Sequence, residues 1–142
     1  MRFRGAAVWL CIVTCVLFAP AHAQYLQQGP NLVGTGWVDE EWPGYSVAFA
    51  ADGNTALGGG VQDNGGVGAA WAWIRVAGGW IQQGPKLVGT GLVGHANQGW
   101  SVALSGDGNT ALVGGAGDND ANGAVWVWTR SGGTWTEQGP KL

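Results

Sequence analysis

The chain has 142 residues, among them 28 glycines and 10 tryptophans, with only 11% charged residues and a formal net charge of −3. Glycine and aromatic residues at these levels speak for many turns and wide aromatic burial rather than disorder, and the acidic balance speaks against nucleic acid or an anionic membrane as partner. Both cysteines, Cys11 and Cys15, sit near the N-terminus, so the rest of the chain holds neither a disulfide scaffold nor a thiolate zinc site.

Residues 1–23 have the order of a secretory signal peptide. Arg2 and Arg4 form a basic start, an apolar run extends from Gly5 to Ala19, and Ala21-His22-Ala23 precede Gln24 as a small-residue cleavage site. A run of about 15 residues falls short of the ~20 needed to span a bilayer. The expected cut after Ala23 leaves a mature chain without cysteine or membrane span, secreted or periplasmic, with four basic residues against nine acidic ones.

From Gln24 onward the sequence repeats itself. "QQGPNLVGTG" starts at Gln27, "QQGPKLVGTG" at Gln82 and "EQGPKL" at Glu137, a constant spacing of 55 residues. "DGNTAL" recurs at Asp52 and Asp107, and Trp71, Trp73 and Trp80 recur as Trp126, Trp128 and Trp135. A period in this range marks a repeat architecture in which each copy is one supersecondary unit.

Turn chemistry divides each copy into four short strands. A leading strand is expected over Tyr25–Val33. The second copy should contain strands at about Trp100–Ser105, Thr110–Gly114, Ala124–Arg130 and Thr134–Leu142, with the first copy offset by the period. Asp52-Gly53 and Asp107-Gly108 supply the turn of one hairpin, Gly78-Gly79 and Gly132-Gly133 that of the next. In "AVWVWTR" the tryptophans share one face and the valines the other, so the strand is apolar on both faces, as in a sheet stacked between two others. The expected fold is all-β, with β-propeller-like blades of four antiparallel strands: two full repeats, about 45–99 and 100–142, plus one leading strand, an incomplete propeller.

"GYSVAFAADGNTALGGGVQDN" and "GWSVALSGDGNTALVGGAGDN", with "GAVWVWTRSGGTWTEQGPKL" after the second, resemble the bacterial FG-GAP repeats related to the propeller of integrin α-subunit heads. The resemblance covers residues 24–142. It implies propeller blades, an extracellular setting and ligand-binding loops. Pro43-Gly44 and Gln98-Gly99 stand where the family has Phe-Gly, and Gly59-Gly60-Val61 and Gly114-Gly115-Ala116 stand where it has Gly-Ala-Pro.

Two stretches invite a calcium reading. Setting Asp107-Gly108 on the central Asp-Gly of an integrin-type loop puts Ala103, Ser105 and Ala111 at the other ligand positions, which leaves one carboxylate and favours a turn. Asp118, Asp120 and Asn122 match the opening of a calcium loop, but Thr129 stands where a bidentate glutamate belongs. Those three residues are the weak metal candidates, and no other cofactor is implied. For catalysis, His95 is the one histidine after residue 24, and Glu40-Glu41 are adjacent carboxylates in a loop. Neither forms a nucleophile–base–orienter pattern, so no catalytic residue is assigned and no enzyme is expected.

The expected function is an exported noncatalytic repeat module, a binding, adhesion or scaffold surface whose loops 38–44 and 93–99 meet a protein or a glycan. The alternatives are an assembly fragment of a longer propeller with no ligand of its own, and a calcium-binding repeat. Two blades leave two apolar outer faces, so self-association or further blades are expected.

Overall fold

The computed structural model of the chain describes residues 27, 29–39 and 43–142. The segment expected to be a signal peptide, residues 1–23, and Glu40 and Glu41 lie outside the described residues. No helix among the described residues is long and apolar enough to cross a membrane.

Among the described residues, alternating apolar residues and glycine turns produce eight strands: β1 Pro43–Phe49, β2 Thr55–Gly60, β3 Ala69–Val76, β4 Gly79–Gln82, β5 Gln98–Leu104, β6 Thr110–Gly115, β7 Ala124–Ser131 and β8 Thr134–Glu137. They form two antiparallel four-stranded sheets in sequence order, β1-β2-β3-β4 and β5-β6-β7-β8. The protein is all-β, and its two sheets are arranged as incomplete propeller-like blades. Each chain hairpin connects neighbours, the arrangement that short turns impose on antiparallel strands.

The turns follow from local backbone chemistry, with two departures from the sequence expectation. In the first hairpin of each blade only the glycine is left-handed, Gly53 at φ 66° and Gly108 at φ 67°. Asp52 and Asp107 instead accept the backbone N–H of Asn54 and Asn109 at 2.8 and 3.0 Å, the usual way an aspartate side chain closes a turn. In the second hairpin of the first blade the turn sits at Ala77-Gly78, φ 48° and 81°, and not at Gly78-Gly79, because Gly79 already pairs with Val76. The counterpart, Gly132-Gly133, has φ 56° and 85°, the double left-handed geometry of a two-residue hairpin loop.

The fourth strand is shorter than its sequence expectation. Ordered pairing stops at Glu137, where Gly139 turns left-handed (φ 72°) before Pro140, a residue that cannot donate to a ladder. The chain then swings back, and Leu142 exchanges hydrogen bonds with Val125 at 2.9 and 3.1 Å. The first blade repeats the detour, with Leu87 paired to Ala70. The expected leading strand is not present in residues 27 and 29–33; Tyr25, Leu26 and Gln28 lie outside the described residues.

Strand register decides the faces. Val47 lies opposite Gly58, Phe49 opposite Ala56, Gly58 opposite Trp71 and Ala56 opposite Trp73, so these six share one face, here called leading. Ala48, Leu57, Ala70 and Ala72 share the other, trailing face. The second blade has the same two faces, with Val102, Leu104, Ala111, Val113, Trp126 and Trp128 leading. The main core is the joint between blades: Leu57, Ala70, Ala72 and Leu87 of the first pack with Ala111, Val113, Trp126 and Trp128 of the second. Small side chains on one side admit the tryptophans on the other, which is how facing layers reach interior density.

Candidate functional site

Each blade carries the same clasp at one end of its sheet. Asp63 is buried, accepts the backbone N–H of Val38 at 2.7 Å and pairs with Lys86 at 2.5 Å. Asp118, only 1% exposed, accepts from Val93 N–H at 2.7 Å and pairs with Lys141. One carboxylate therefore joins three separate segments: the turn after the second strand, the loop that leads into the blade, and the "GPKL" return after the fourth strand. A second bond in each blade, from the N–H of Asn64 to Val38 O at 2.9 Å and of Asn119 to Val93 O at 3.0 Å, locks turn and loop together.

In the second blade the electrostatics of the clasp favour the ionised form of Asp118. Burial pushes the Asp118 carboxyl up, but the Lys141 hydrogen bond, the Val93 N–H and the Lys141 charge outweigh it, so the net shift is downward. Asp107, fully exposed, is also lowered, first by the Ser105 hydroxyl and then by the Asn109 backbone and side chain. That is the signature of an acid closing its own turn.

The three residues with calcium-like spacing are split by the fold. Asp118 is buried with both oxygens engaged, whereas Asp120 and Asn122 are exposed, and the Asn122 amide donates to Asn119 O at 2.6 Å. Their types have a backbone reason. Asn119, Asp120 and Ala121 take consecutive left-handed conformations at φ 51°, 57° and 66°, as do Asn64, Gly65 and Gly66 in the first blade. Asn and Asp tolerate this region better than other residues with a β-carbon. Among the described residues no group of three or more His, Cys, Asp and Glu side chains is placed to hold a metal ion.

His95 joins the blades. Its Nδ1 donates to Gly65 O at 2.6 Å, while Asn97 donates from its side chain to Val61 O at 3.1 Å and from its backbone to Gly66 O at 2.9 Å. The inter-blade loop 93–97 is thus held by the turn of the first blade on one side and by the clasp of the second on the other. Exposed on this end are the side chains of Asn64, His95, Asn119, Asp120 and Asn122.

Sequence reasoning missed the clasp lysines and the buried Gln98, whose amide makes two bonds with the backbone of Gly89, at 2.7 and 3.1 Å. A signal for the lysines was present: the basic residues after Gln24 are two repeated pairs, Arg75 with Arg130 and Lys86 with Lys141. Each lysine follows its aspartate by 23 residues. No protein-family model matches the chain, and no curated protein matches it. The functional reading therefore rests on the residues.

Proposed function

We propose that the chain is an exported, noncatalytic repeat module that binds a protein or glycan surface through the loop end of its blades. The observation that carries this reading is the pair of clasps, which hold two polar turns and the intervening loop rigid while leaving Asn64, His95, Asn119, Asp120 and Asn122 exposed on one end. Rigid loops with adaptable hydrogen-bonding tips lose little entropy on binding. The signal-like N-terminus and the resemblance to FG-GAP repeats support the same setting. The titratable groups with resolved partners in this region act on backbone and lysine, which suits a scaffold role.

The test is an array of immobilised glycans and extracellular proteins probed with the purified chain. A combined Asn119→Ser, Asp120→Ser and Asn122→Ser variant should lose the signal, whereas substitutions on the sheet faces should leave it. Binding that survives the triple substitution contradicts the loop-end reading.

A further inference from the structure

The two blades are built alike but covered differently, and the difference defines two unpaired faces that fit each other. On the trailing face, Leu57 is 1% and Leu87 3% exposed, because the second blade sits on them; their counterparts one period later, Leu112 and Leu142, are 41% and 78% exposed. On the leading face the asymmetry reverses. Val102 and Leu104 pack against the inter-blade core, whereas their counterparts Val47 and Phe49 are 67% and 58% exposed. Those two line an apolar groove with Trp37, Trp71 and Trp73 on the first blade.

From this pairing we infer that the chain assembles head to tail with further copies of itself, the trailing face of the second blade seating on the leading groove of the next copy's first blade, until the blades close a ring. The inter-blade joint inside the chain supplies the pattern for this contact, and the residues that build the joint recur at the free faces. Arg130 donates to Thr55 Oγ1 and Gln83 Oε1 at 3.2 Å each, and Trp135 Nε1 donates to the same Gln83 oxygen at 3.1 Å. One period away, Arg75 lies over Trp80 as Arg130 lies over Trp135, and Thr110 and Gln138 stand where Thr55 and Gln83 stood. Ser46, which donates to Gly99 O at 2.8 Å across the joint, recurs as Ser101, and Gly99 as Gly44.

Side-chain volume points to a partner of this shape. Within the chain, Val113 faces a layer containing Ala70 and Ala72. At the free faces the sizes are exchanged: Gly58 replaces Val113 in the groove, and Val125 and Val127 replace the two alanines opposite. The leading groove is relieved where the trailing face is enlarged, so the free pair conserves volume as a joint, the kind of exchange that packed layers tolerate best. The contact is heterologous, which either closes a ring or runs on as a filament. Propellers close at about 4–8 blades, so two blades per chain give a ring of two to four copies.

Native mass spectrometry of the purified chain at micromolar concentration tests this directly. The expected result is one discrete species of two to four chains. Val47→Glu, which blocks only the leading groove, and Leu112→Glu, which blocks only the trailing face, should each be monomeric with unchanged far-ultraviolet circular dichroism. Mixing the two variants should give a 1:1 heterodimer, since one good face of each kind remains. Leu142→Glu serves as the second trailing-face variant should Leu112→Glu lose its fold. A monomeric parent chain, which would point to another occupant of the groove, or a homodimer of either single variant, which would mean a like-with-like contact, overturns the inference. Loss of array binding leaves these outcomes unchanged, so the two readings fail separately.

Discussion

At the residue level, the clasp is the feature whose energetics are clearest. Asp118 sits in the protein with a lysine and a backbone N–H as partners, so replacing it by asparagine leaves the Lys141 charge uncompensated and one of the two donors facing an NH2 group in place of a carboxylate oxygen. Breaking a buried pair from one side costs more than the pair contributes. Asp118→Asn should lower stability by about 2–4 kcal/mol in urea denaturation, below the full cost for a sealed pair because the lysine side chain is 24% exposed. The pH dependence has a definite sign. A carboxyl held lower in the folded chain contributes stability that is complete above its unfolded value of about 3.9 and is lost as the pH falls through the folded value. The gap between parent and Asp118→Asn should therefore be full at neutral pH and shrink in acid; a gap that widens below pH 4 contradicts the assignment. A second residue-level expectation concerns Ala77, left-handed at φ 48° and exposed. Ala77→Gly relieves a conformation costing about 1–2 kcal/mol while loosening the unfolded chain, and should raise stability by about 0.5–1 kcal/mol in the same assay.

At the level of elements, the ten-residue stretch "QQGPKLVGTG" is a joint with two halves. Its first half belongs to the blade it ends: Gln82 accepts from Thr35 N–H at 2.7 Å, Lys86 completes the clasp and Leu87 enters the core. Its second half belongs to the next blade: Trp126 Nε1 donates to Thr90 O at 2.8 Å, and a β-carbon on Gly89 would run into the Trp126 indole. Gly34 and Trp71 repeat that fit in the first blade, where Trp71 donates to Thr35 O at 2.9 Å. Gly89→Ala should cost about 1–3 kcal/mol by overpacking, read from the midpoint of thermal or urea unfolding. A neutral result would mean that the loop does not lie on the ring. The four-strand plan was legible in the sequence because turn residues and alternating faces recur with one period, and Trp126 and Trp128 announced burial. What stayed hidden depended on distance. The clasp unites residues 23 and 25 positions apart, and Gln98 reads as a departure from a Phe-Gly pair although it holds the Gly89 backbone. The strand break at Gly139-Pro140 was readable in principle, since a proline without N–H cannot continue the ladder. For the candidate site, the sequence singled out Asp118, Asp120 and Asn122 by their calcium-like spacing, whereas in the fold Asp118 anchors the loop beside which Asp120 and Asn122 are exposed.

At the level of the whole molecule, the two blades share their main core, and the fully buried Trp126 of the second blade sits in the cluster that contains Leu57, Ala70 and Leu87 of the first. Neither sheet has a second layer of its own to cover its joint face, so each depends on the other, and stability should be a property of the pair. The same dependence, carried past the ends of the pair, is what leaves one leading and one trailing face free to meet. The most direct measurement is amide hydrogen exchange on the Val47→Glu chain, with and without Leu57→Asp at the joint. Leu57→Asp should strip protection from β2 and β3 in the first blade and equally from β6 and β7 in the second, because opening the joint exposes both. Undiminished protection of β6 and β7 would show that the second blade stands alone, and would contradict the shared joint on which the architecture rests.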